Sequence, residues 1–302
     1  MKRAIIGAMF GGLVLLAGAT NALASPGLVW VHGTSDESSQ TNAYNNYWTG
    51  AAIGSYDIAG TPGCIVGYYG ASNPAYAVGA WGAITDQIVG FAEATGRGQL
   101  LVMTHSNGSN PVRYMLAHPG AWSGNNYAST ATQFFSGVAF FAGTNAGSPL
   151  AQDVINSGSM ANISNAIVDM MGGGSYVCPA MYAQTPSAMA TYNANGTFAG
   201  TPGQQYFGSI PVWFFSGQNV STNPFNSNGT CGGLSDSVGL AATQLYGWGS
   251  SNACTDGMVG CSSSEYTGIP AMYGSYLNHQ QSRRACGGMT GPLTNIFNDL
   301  HL

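Results

Sequence analysis

The chain has 302 residues, of which 45% are hydrophobic and only 6% charged, against roughly a quarter charged in an average soluble domain. With 45 Gly, 16 Tyr and plentiful Asn, Ser and Thr, its surface must be built from neutral polar groups. It has no basic patch to release counterions from phosphates, which excludes nucleic acid as a partner, and its apolar and aromatic content excludes a disordered chain.

In chain order, Lys2 and Arg3 precede an apolar run over 5–16, and Ala22-Leu23-Ala24 stands as an A-x-A cleavage site before Ser25. Residues 1–24 read as a secretory signal peptide. A membrane anchor would need roughly 20 apolar residues, and Thr20 and Asn21 interrupt the run first. The remainder, 25–302, keeps four Arg, no Lys and eleven acids, a formal charge of −7, as expected of a secreted, mildly acidic protein. All six Cys (64, 178, 231, 254, 261, 286) lie in that part. An even count in an exported chain favours disulfides over metal thiolates. Their pairing stays open, with a bridge at or near Cys254 and Cys261 able to hold the loop between them.

Short apolar runs alternate with helix-compatible stretches. Strands are predicted over 27–31, 64–69, 100–104, 138–141 and 210–215. Helices are predicted over 81–94, with Ile84, Ile88 and Phe91 on one face, and over about 107–116. Strands without polar alternation, separated by helices, indicate a parallel sheet covered on both faces, so the fold class is α/β with ligand chemistry at the C-terminal ends of the strands. Between 148 and 208 the pattern changes. Ile163, Ala166, Ile167, Met170 and Met171 recur at helical spacing until Gly172-Gly173-Gly174, which fits either an ordinary core-facing helix or a mobile cap over a pocket, with Ile163, Ile167 and Met170 on its apolar face.

Thr104-His105-Ser106-Asn107-Gly108 joins a predicted strand directly to a predicted helix. A small-x-Ser-x-Gly turn in that setting is the context of a nucleophile elbow, which projects Ser106 and points the Asn107 N–H at a developing oxyanion. Thr104 stands where the pattern usually has Gly. A second oxyanion donor comes from the loop after an earlier strand, here the N–H of Thr34, while His32 precedes the elbow and reads as structural. In the order serine, acid, histidine, His118 follows too closely and His301 is terminal, leaving His279 as the base. Asp236, Asp256 and Glu265 compete for the acid. Asp256 is preferred, because Gly257-Met258-Val259 after it makes a loop-to-apolar transition that would set a carboxylate at the sheet edge.

The run Thr255-Asp256-Gly257-Met258-Val259-Gly260-Cys261-Ser262-Ser263, followed by Asn278-His279, resembles the acid and histidine segments of secreted bacterial true lipases, the group often dependent on calcium and a dedicated foldase. His32-Gly33, the elbow continuing to Arg113-Tyr114, 143–151 with Gly147-Ser148, the cap helix and Ala190-Thr191-Tyr192-Asn193 agree in order. The resemblance implies an α/β-hydrolase fold, a Ser106/Asp256/His279 triad, a lid and carboxylic ester substrates with apolar acyl chains at a lipid–water interface. It also implies a periplasmic foldase as partner and a structural calcium. No cofactor is required for the chemistry. Asp236 matches one calcium ligand of the family, but Gln281 replaces the Asp expected two residues after His279, so calcium and foldase dependence transfer least. The sequence leaves oligomeric state and acyl length open. An extracellular polyester depolymerase, or a noncatalytic exported protein on the same fold, are the competing readings.

Overall fold

The computed structural model describes residues 27–33, 47–48, 63–66, 78–96, 98–118, 131–149, 151–152, 184–196, 206–217, 256, 258–265, 279 and 282. The leader at 1–24, Thr34, the cap helix with Ile163, Ile167 and Met170, Asp236 and Gln281 lie outside them.

Among the described residues, six strands form the sheet: β1 (Gly27–Val31), β2 (Gly63–Val66), β3 (Leu100–His105), β4 (Phe135–Phe141), β5 (Tyr206–Phe207) and β6 (Ile210–Phe215), in the spatial order β2-β1-β3-β4-β6-β5. All neighbours are parallel except β5 and β6, which are antiparallel around a turn in which Gly208 takes φ +64°. β1 and β3 are buried along their whole length, as their unbroken apolar sequences require of strands covered on both faces. The chain leaves β1 to build β2 on one side, then returns to build β3 on the other. Such a reversal opens a crevice at the carboxyl ends of the two strands, and Gly33 and Ser106 sit there.

Helix α1 (Val78–Thr95) buries Ile84, Ile88, Val89 and Ala92. Phe91, expected on the same face, is half-buried and lies against Gly27, where a Cβ would come within 2.8 Å of its ring. The helix stops at Gly96, whose φ of +64° and N–H bond to Glu93 O are those of a glycine C-terminal cap. Strand β4 begins at Phe135, three residues before the predicted start. Its aromatic end stacks in register on β6, Phe140 on Phe214 at 4.8 Å and Phe141 on Phe215 at 4.6 Å between ring centroids. Each such pair contributes about 0.5–1.5 kcal/mol beyond its area burial. One helix the sequence reading did not delimit, α3 (Pro186–Ala194), starts from a Thr185 hydroxyl that accepts the Ala188 N–H, with Pro186 in its first turn.

Candidate active site

After β3, the chain makes a single 3₁₀ turn at Ser106–Gly108 before α2 (Ser109–Ala117) begins, two residues later than predicted. Ser106 occupies the left-handed region, φ +55°, which costs an L-residue roughly 1–2 kcal/mol. The surroundings hold it there. The Ser109 hydroxyl donates to Ser106 O at 2.9 Å, and a Cβ at Gly108 would lie 2.5 Å from the carbonyl oxygens of both Val31 and His32. Only glycine lets α2 seat this closely on the end of β1. Thr104, at the motif's first position, is fully buried between its neighbours on β1 and β4, so the departure from glycine is accommodated inside the sheet.

Gly33 reaches the same crevice from β1; a Cβ on it would meet Ser106 Cβ at 2.7 Å and Tyr47 Oη at 2.6 Å. Its N–H donates to Tyr47 Oη at 2.9 Å and is therefore engaged. His32 is buried, and its Nδ1 lies 2.8 Å from Gly33 O, as suits a residue that shapes this loop from behind.

Asp256 and His279, 23 residues apart, are brought together and buried, at 0% and 3% exposure. Asp256 Oδ2 lies 2.7 Å from His279 Nδ1, while Oδ1 accepts the N–H groups of Met258 at 2.9 Å and Val259 at 2.7 Å. A carboxylate so surrounded only accepts, so Nδ1 carries the proton and, in the neutral ring, Nε2 is the free base. The His279 ring leans on that of His105, centroids 4.6 Å apart, which sets it beside the residue preceding Ser106. Glu265, a competing acid, instead accepts from the Ser216 hydroxyl at the end of β6.

Three segments separated in sequence meet beneath this constellation. Arg113, fully buried on α2, donates from Nη1 to Asn145 O at 2.9 Å and from Nη2 to Asn193 Oδ1 of α3 at 2.8 Å; Asn193 Nδ2 donates to the same Asn145 carbonyl at 2.9 Å. The loop after β4 then grips the acid-bearing segment. Asn145 Nδ2 donates to Ser264 O, Ala146 N to Ser263 Oγ and Ser148 Oγ to Met258 O, the last at 2.7 Å. Gly147 makes this path possible, with φ +94° and Pro186 Cα 2.6 Å from where a Cβ would stand. Sequence reasoning missed Tyr47 and Ser282, which lie in stretches without periodicity. For Arg113 the available signal was the agreement in order of the segment continuing the elbow to Arg113-Tyr114.

No protein-family model matches the chain, and no curated protein matches it by sequence. Solved structures match by fold. The Bacillus licheniformis lipase BlEst2 in its mature form is similar with a TM-score of 0.56 at 14% identity, over 92% of this chain and 92% of that one. In its propeptide form it is similar with a TM-score of 0.57 at 13% identity, over 92% of this chain and 50% of that one. Together with the strand order and the elbow between β3 and α2, the shared architecture identifies the chain as having the α/β-hydrolase fold.

Proposed function

We propose that the chain is a secreted serine hydrolase of carboxylic esters, acting on apolar acyl esters as a lipase does. The observation that carries the reading is Ser106 at φ +55° in the switch-point crevice, because strain of this kind persists only where the surrounding structure over-determines it and clusters at active sites. Ser106 Oγ attacks the ester carbonyl carbon and passes its proton to His279 Nε2. Asp256 holds the ring by Nδ1 and stabilises the imidazolium. The oxyanion is received by the N–H of Asn107 at the helix start and by that of Thr34. Gly33 N–H is spent on Tyr47, which supports assigning the donor to the next amide. The imidazolium proton goes to the leaving alcohol, and water, deprotonated by His279, releases the acid from the acyl-enzyme.

The helix over 160–171 serves as a lid in this reading, and a disulfide at or near Cys254 and Cys261 braces the segment carrying Asp256. Calcium takes no part in the steps above. With neutral Gln281 in place of a carboxylate, chelation should cost little activity at room temperature. Residues 1–24 direct export; a foldase remains a partner by resemblance alone.

The test is a fluorophosphonate label followed by a substrate panel with and without chelator: a soluble-ester chain-length series, emulsified triglyceride and polyester film. Labelling at Ser106 with emulsion activity supports a lipase. Preference for film reassigns the substrate to polyesters. Absence of label and of turnover leaves a noncatalytic protein on the same fold.

A further inference from the structure

We infer that Tyr47 and His105 form one positioning clamp that fixes the loop bearing the second oxyanion donor and the backbone of the general base relative to Ser106. The inference rests on the roles just proposed for Ser106, Thr34 and His279. Tyr47 Oη accepts the Gly33 N–H at 2.9 Å and stands 2.5 Å from His105 Nδ1. His105 Nε2 stands 2.9 Å from His279 O and 3.0 Å from Ser282 Oγ, and that hydroxyl donates to His279 O at 2.7 Å.

These contacts admit one arrangement of protons in a neutral His105. Two acceptors, the carbonyl of His279 and the lone pair of a hydroxyl already donating elsewhere, face Nε2, so Nε2 carries the hydrogen. Nδ1 is then the acceptor of a hydrogen bond donated by the Tyr47 O–H, which leaves the phenol oxygen a lone pair for Gly33 N–H. Every link points the same way, from Gly33 N–H through Tyr47 and His105 to His279 C=O. Both relay side chains are buried, Tyr47 at 7% and His105 at 1% exposure, and Trp48, fully buried, packs edge-on against each. Hydrogen bonds shielded this way gain from the low local dielectric and polarise one another.

The consequence lies in what the two ends carry. Gly33 immediately precedes the proposed donor Thr34, and His279 is held at its N–H by Asp256 O at 2.9 Å, at Nδ1 by Asp256 Oδ2 and at its carbonyl by His105. His105 is adjacent to Ser106 in sequence. A shift of the clamp therefore moves donor and base together against the nucleophile. His105 and Tyr47 are thus assigned as positioning residues, acting through Gly33 and His279.

The test measures kcat, KM and melting temperature on a soluble short-chain ester for Tyr47→Phe, His105→Leu, His105→Gln and the double variant Tyr47→Phe/His105→Leu. Misplacement of reacting groups should lower kcat roughly 10- to 100-fold in His105→Leu, with KM within about twofold. His105→Gln, whose amide can donate in place of Nε2–H, should recover most of that loss. The double variant should lose little more than His105→Leu alone, since one relay broken twice is not additive. The isosteric Tyr47→Phe keeps the test decisive should His105→Leu fold poorly. Unchanged kcat in Tyr47→Phe, fully additive losses, or kcat falling only in step with melting temperature would overturn the clamp. A Ser106→Ala control separates the two levels. Turnover retained by that control removes the underlying mechanism, whereas an inactive control beside a fully active Tyr47→Phe removes only the clamp.

Discussion

Asp256 and His279 are joined twice, once through Oδ2 and Nδ1 at 2.7 Å and once through the Asp256 carbonyl and the His279 N–H at 2.9 Å. The backbone bond places the residue and the side-chain bond selects its tautomer. Asp256→Asn keeps the first and inverts the second. The Met258 and Val259 N–H groups demand an acceptor on one side of residue 256, so an asparagine turns its NH₂ toward Nδ1 and drives the ring proton to Nε2. Turnover should fall by about four orders of magnitude, as when a triad carboxylate becomes an amide in a serine protease, with an unchanged circular dichroism spectrum. Asp236→Asn should cost far less. The reverse ranking between two folded variants would move the acid role to Asp236.

The strain at Ser106 separates stability from activity. Glycine occupies φ +55° without penalty, whereas alanine keeps the Cβ that makes it costly. Both variants should be inactive, but Ser106→Gly should unfold at the higher temperature, by about 1 kcal/mol of stability. Thermal melts of the two side by side decide the matter, and equal midpoints would mean that the turn is not strained.

Thr104 buries its hydroxyl in the sheet, and Oγ1 has no hydrogen-bond partner among the described residues. A buried hydroxyl left unsatisfied costs about 1–3 kcal/mol. Thr104→Val, nearly identical in shape, should therefore raise the denaturant midpoint and leave kcat within about twofold. A lower midpoint would reveal a partner for that hydroxyl.

Arg113 joins two segments through separate nitrogens, so charge alone does not replace it. Lysine offers one nitrogen on a flexible stem and cannot reach both Asn145 O and Asn193 Oδ1 with the geometry of the guanidinium fork. We expect Arg113→Lys to lose roughly 2–4 kcal/mol of stability, in keeping with breaking a buried hydrogen-bonded charge, and Arg113→Met to lose at least as much. Chemical denaturation measures both. A lysine variant as stable as the wild type would show that the fork is dispensable.

For the lid proposed over 160–171, Ile167→Ser with Met170→Ser should depress activity on emulsions more than on short soluble esters. Opening exposes apolar area at roughly 25 cal/mol per Å², a cost that only an interface repays. Equal losses on both substrates would make the helix part of the core.

Local signals served where the chain is locally determined. The strands at 27–31 and 210–215 were bounded correctly by their apolar runs, and the pairing of Asp256 with His279 was reached from residue order and the apolar step at Val259. Turn chemistry was less legible. Nothing in the composition of 106–108 distinguishes a 3₁₀ turn from the first turn of an α-helix, because the choice depends on packing from elsewhere in the chain, here the carbonyls of Val31 and His32 against Gly108. The junction of Arg113, Asn145 and Asn193 was visible only as segments agreeing in order, since hydrogen bonds across 32 and 80 residues leave no period to read. Tyr47 gave no signal at all, its partners being a backbone N–H and a ring 58 residues away.

The crevice is assembled from two groups of residues very unequal in sequence separation. β1, α1, β3, the elbow and α2 all fall within Gly27 to Ala117, while His279 meets His105 across 174 residues. Closing short loops costs less entropy than closing long ones, so the nucleophile should be in place on a growing chain well before its base arrives. Such an intermediate would hold a formed elbow with no proton acceptor, chemically silent until the last fifth of the chain docks. In the exported ester hydrolase proposed above, silence before completion would keep hydrolysis away from the lipids of the cell that makes it.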